Sequence, residues 1–151
     1  MDELFRSTLG IVERAIASFG IDAEKARVQS DPTQTAYSLV RGSALTLVSV
    51  VRREGEVAVR VVCPVMTLPE ESVRPAFFQR LLELNAGAVV GSAAFALAGD
   101  RIVVVSERPA LGLDADEAVH AIKRASAVAD TFDDRLVREF GGKRAADTRS
   151  T

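Results

Sequence analysis

The side chains able to do chemistry are few, and their spacing limits what each can do. His120 is the only histidine among 151 residues, and Cys63 is the only cysteine. A zinc site takes three or four Cys, His or carboxylate ligands, and a nucleophilic site needs a base beside its serine or cysteine. Neither pattern surrounds these two residues. His120 therefore reads as a surface or lightly packed helix residue, and Cys63, in a row of valines, as a small core side chain. Asp130, Asp133 and Asp134 lack the loop spacing and the glycine of a calcium site and read as a solvated helix face. The stretch from Gly87 to Gly91 superficially looks like a phosphate loop, but no Lys-Ser/Thr follows it. No catalytic residue, metal ligand or cofactor is expected, and the functional signal has to come from surfaces.

Those surfaces belong to a chain of ordinary globular composition, 48% apolar and 26% charged, long enough for one domain with its own core. No apolar run approaches the roughly 18 residues of a membrane span. The start, Met1-Asp2-Glu3, is acidic where an export signal is basic, and a lone cysteine suits a reducing compartment. A cytoplasmic protein is expected. A net charge of −2 with no basic run argues against a nucleic-acid partner, which needs clustered Lys and Arg.

Periodicity then supplies the elements. Phe5, Leu9, Val12, Ile16 and Phe19 recur at three and four residues and predict a helix over Glu3 to Phe19, ending at Gly20. The polar connection Ile21 to Thr35 has room for a short turn of helix or an edge strand. From Ala36 to Val65 the period falls to two and Val, Leu and Thr dominate, predicting three strands with turns at Arg41-Gly42-Ser43 and Arg53-Glu54-Gly55. A second helix is predicted from about Val73, with Ser72 as its N-cap and Pro75 in its first turn. After it, Val89 to Leu97 and Arg101 to Glu107 flank Gly99-Asp100 as a hairpin. Asp114 and Glu117 have capping-box spacing for a third helix, whose stripe runs from Ala118 to Leu136 and stops at Gly141-Gly142. The tail from Lys143 to Thr151 is polar and predicted to be disordered, leaving a single domain over 1–142. The fold class is α+β: a five-stranded antiparallel sheet with three helices, in the order α-β-β-β-α-β-β-α.

This order resembles the type III secretion chaperone fold, and more closely its YbjN-like branch of bacterial sensory transduction regulators. The residues that carry the resemblance are the Leu-Leu-Glu-Leu-Asn run at Leu81 to Asn85, the small-residue hairpin Gly91 to Ser106 and the Leu-Asp-x-x-Glu opening at Leu113 to Glu117. The resemblance covers roughly Asp2 to Phe140. It implies a small, acidic, cytoplasmic homodimer that holds an extended segment of a client protein, with the second helix at the dimer interface and no catalytic set.

Two surfaces follow from the residues themselves. The second helix carries one apolar stripe at Val73, Phe77, Leu81 and Leu84 and another at Phe78 and Leu82, about 100° around the axis, which is more than one core needs. Phe78 and Leu82 are the expected homodimer contact. Thr46, Val48, Val50, Val62, Ala94 and Ala96 are expected to share the far face of the sheet and to receive a peptide or a β-strand from a client. The expectation is a non-enzymatic protein-binding module. The alternatives are a regulatory dimer without a secretion client, and a small-molecule-binding α+β domain with its pocket between the sheet and the third helix.

Overall fold

The computed structural model describes residues 2–41, 44–87 and 90–148. The turn expected at Gly42-Ser43 and the Ala88-Val89 portion of the glycine-flanked stretch lie outside the described residues.

Among the described residues the chain forms six strands and five α-helices, where spacing predicted five and three: α1 (Asp2–Ser18), α2 (Ala23–Ala26), β1 (Arg27–Ser30), β2 (Gln34–Arg41), β3 (Ala44–Arg53), β4 (Glu56–Thr67), α3 (Arg74–Ala86), β5 (Ala94–Ala98), β6 (Arg101–Pro109), α4 (Ala115–Phe140) and α5 (Ala145–Thr148). Each added element is four residues long, too short for a period of two or 3.6 to show. Asp22 starts α2 by accepting from the backbone N–H groups of Glu24 and Lys25. The strand that follows it, β1, keeps most of its side chains exposed and so lacks an apolar alternation.

The sheet is antiparallel throughout, in the order β1-β2-β3-β4-β6-β5. The two-residue turns set its register. Gly55, at φ 79°, lets Arg53 pair with Glu56, and Gly99, at φ 63°, lets Ala98 pair with Arg101. The core lies on one face of the sheet. There Tyr37, Leu39, Val48, Val50, Val59, Val61, Cys63 and Val104 are buried in one cluster with Phe5, Val12 and Ile16 of α1 and Ile122, Ala125, Phe132 and Leu136 of α4. Each such aliphatic side chain contributes about 1.5–3 kcal/mol on burial.

Both capping predictions at α4 hold. Glu117 N–H donates to Asp114 Oδ1 at 2.8 Å, Asp114 N–H donates to Glu117 Oε2 at 3.1 Å, and Gly141 closes the helix with φ 87°. The start of α3 differs in detail. Pro75 does lie in its first turn, but Ser72 is not the cap: a single 3₁₀ turn over Glu71–Val73 leads in, and Val73 occupies the cap position without a side-chain bond. The tail expected to be disordered is placed as far as Thr148. Arg144 bridges to Met66 at the end of β4, and α5 follows. Backbone pairing and ion pairs position this segment, and neither leaves an apolar period in the sequence.

Candidate partner-binding surfaces

The long helices α1 and α4 pack on the same face of the sheet, and among the described residues no long helix packs on the opposite face. Cross-strand register sorts that open face into rungs. Leu47 pairs with Val62, Val62 with Val105 and Val105 with Ala94, so one apolar rung crosses four strands. Beside it, Pro64 pairs with Val103 and Val103 with Ala96. Leu47, Val62, Val105 and Ala96 are half-buried and Ala94 is exposed. On the other side the next rung is polar: Ser49 pairs with Arg60 and Arg60 with Glu107. The face therefore has an apolar half toward β5 and, toward the β3–β4 turn, charged side chains around the rung of Val51, Ala58 and Pro109.

Of the six residues expected on this face, the structure brings three together and sends three elsewhere. Val62, Ala94 and Ala96 lie on the open face. Thr46, Val48 and Val50 lie on the helix-covered face, each no more than 2% exposed. The reason is the pleat. Because Arg53 pairs with Glu56, every even position of β3 opposes an odd position of β4, so Val48 faces Val61 and Val50 faces Val59. Thr46 instead takes part in a buried polar contact, its Oγ1 3.1 Å from Ser126 Oγ and 3.4 Å from Cys63 Sγ. Leu47, Val103 and Val105 replace these three on the open face, because the β3–β4 turn has two residues, Glu54-Gly55, where three, Arg53-Glu54-Gly55, were expected.

The second surface is the outer side of α3. Phe77, Leu81 and Leu84 point into the core, where the Phe77 ring meets Phe140 edge-on at 5.2 Å between centroids. Leu82 is 68% exposed, and Phe78 is half-buried with its ring 5.8 Å from that of Phe77. At its C-terminal end α3 grips the edge strand. Asn85 Nδ2 donates to Phe95 O at 3.1 Å, and Phe95 N–H donates to Asn85 Oδ1 at 2.7 Å. In the sequence Asn85 enters only as the last residue of the Leu81 to Asn85 run that carries the resemblance.

The remaining candidates are placed as follows. His120 is exposed on α4. Cys63 is 1% exposed, and burial pushes its thiol pKa up. Asp133 is half-buried, with its carboxyl raised chiefly by that burial, while Asp134 accepts from Arg144 Nη1 at 3.1 Å. Among the described residues no helix is long and apolar enough to cross a membrane.

The fold has relatives among solved structures. The chain aligns with the ExsC–ExsE complex at a TM-score of 0.63 and 12% identity, covering 89% of this chain and 94% of that one. It aligns with the HopA1–SchA chaperone–effector complex at 0.57 and 12%, covering 89% and 97%. Against the heterodimeric ExoU–SpcU complex from the type III secretion system of Pseudomonas aeruginosa the values are 0.55 and 17%, covering 85% and 96%. No curated protein matches the chain significantly. A family model does, over residues 11–148, and by that match the chain belongs to the peptide-binding chaperones typified by the type III secretion proteins YopN and CesT and by YbjN.

Proposed function

We propose that this chain is a non-enzymatic, cytoplasmic, homodimeric chaperone that shields an apolar or extended segment of a client protein on the open face of its sheet. The observation that carries the reading is the apolar half of that face, where Leu47, Val62, Val105 and Ala94 form one rung without a helix above them among the described residues. Contiguous apolar surface of this kind marks a partner site. An extended segment suits it because a strand's side chains repeat at the spacing of the rungs. The similar folds found in a chaperone–effector complex and in a secretion-system heterodimer support a protein client here. Phe78 and Leu82 are assigned to the homodimer contact, away from the client face.

The test is an array of extended, apolar 15-residue peptides probed with the wild type and with Val62→Lys. The reading expects a subset of peptides to be retained by the wild type and lost in the variant, with circular dichroism unchanged. A wild type that retains none, or a variant that retains the same set, overturns it.

A further inference from the structure

We propose that the outer edge of β4 over Cys63–Thr67 is an acceptor for a short extended peptide carrying a basic residue followed by small ones, and that residues 143–148 occupy it in cis. The proposal rests on the peptide-binding reading and adds a second, separate site to it. Its first support is an incomplete edge. Among the described residues the pairing of β3 with β4 ends at Leu47↔Val62, while β4 continues to Thr67. A strand edge left without a partner is a template for another extended chain.

The seated tail reports what the edge accepts. Met66 and Arg144 form an antiparallel bridge, Thr67 N–H donates to Lys143 O at 2.9 Å, and Lys143 N–H donates to Thr67 Oγ1 at 3.0 Å. Charge agrees with this register: Arg144 reaches Asp134, and Asp130 and Asp133 stand beside it on the same helix. Ala145 and Ala146 then lie over a cavity of about 240 Å³ between β3, β4 and α4, floored by Thr46, Cys63 and Ser126. Small side chains at these two positions are what the seated tail places there.

The occupant is also built to leave. No residue of α5 is buried, and the strap hangs from Gly141 and Gly142, both at positive φ. Being tethered, it competes at high effective concentration despite these few contacts. Gly142 supplies a handle on it. A Cβ there lies 3.0 Å from Thr67 O at a φ of +86°, so Gly142→Val pushes the strap away while changing neither its charges nor the acceptor.

The experiment uses full-length protein, hydrogen exchange at the Thr67 amide, and a fluorescent peptide corresponding to residues 141–151. In the wild type the Thr67 amide is expected to be protected and the peptide to bind weakly. In Gly142→Val the amide should exchange at least tenfold faster and the peptide bind at least tenfold more tightly, with Asp134→Arg in the same background reversing the gain. Arg144→Glu, which releases the strap through charge, replaces Gly142→Val if the latter does not fold. An unprotected Thr67 amide in the wild type overturns the proposal. So does a releasing variant whose amide stays protected, or one that is deprotected yet binds no peptide. A chain that retains nothing on the apolar array but passes this test keeps the edge site and loses the open-face reading, so the two fail separately.

Discussion

The side-chain amide of Asn85 pairs with both the N–H and the C=O of Phe95, the second residue of the edge strand β5. An edge strand presents unpaired backbone groups, and here a helix end supplies an amide that imitates one rung of a neighbouring strand. Asn85→Ala removes two hydrogen bonds and is expected to destabilise the fold by about 1–3 kcal/mol. Urea unfolding reads the loss, and a rise in the exchange rate of the Phe95 amide localises it. Asn85→Asp keeps the acceptor, loses the donor and should restore only the Phe95 N–H bond.

The outer side of α3 yields a prediction about mass. Leu82 is 68% exposed and Phe78 half-buried beside it, an arrangement that a second copy of the helix would cover. Light scattering after size exclusion should give a dimer for the wild type and a folded monomer for Leu82→Glu. Because Leu82 has little to lose within its own chain, the stability of the monomeric variant should change by no more than about 0.5 kcal/mol. A monomeric wild type removes the dimer from the proposed function.

Tyr37 ties stability to alkaline pH. Burial, and then the carboxylate of Glu13 that accepts from its hydroxyl at 2.8 Å, raise its pKa from 10.0 to about 12. Between these values the folded state keeps a proton that the unfolded state has released, so stability falls as pH rises from about 10 to 12 and the contribution is complete below 10. Two pKa units correspond to a few kcal/mol at most. Tyr37→Phe should flatten the urea midpoint over this range, at the cost of the Glu13 bond at neutral pH. A variant with the same alkaline slope as the wild type refutes the assignment.

What the sequence made legible follows from the length of each signal. The five turns of stripe from Ala118 to Leu136 and the Asp114/Glu117 box located α4 because many residues repeat one constraint. Four-residue elements such as β1 and α5 repeat nothing, and they were missed or left open. The client face was half legible. Val62, Ala94 and Ala96 fall on it, whereas Thr46, Val48 and Val50 were assigned by composition, which gives each strand a greasy side without saying which side it shares with its neighbour. Turn length does say so: the expected three-residue turn Arg53-Glu54-Gly55 would set Val50 opposite Ala58, whereas the two-residue turn pairs Arg53 with Glu56 and sets Val50 opposite Val59. Asn85 and the strap act through backbone groups, which carry no residue-type signature.

Glu107 marks where the apolar half of the open face ends. Its carboxylate accepts from Arg53 and, at 2.7 Å, from Arg60, and the hydrogen bond from Arg53 is the first cause that holds its pKa below the usual 4.5. A carboxylate lowered on folding adds stability that is present above its ordinary pKa and lost as pH falls through the folded value. Glu107→Gln keeps the shape and removes the charge, so it should weaken the acid limb of stability while costing less than about 1 kcal/mol at pH 7, because the trio is partly exposed. The difference from wild type should shrink further in 1 M salt, where the Debye length is about 3 Å. Client binding separates the two halves: if the segment lies on the Val62–Val105 rung, Glu107→Gln retains it within about twofold, since exposed charges away from a contact change affinity little. A loss in Glu107→Gln as large as that in Val62→Lys would place the client across the charged rung instead.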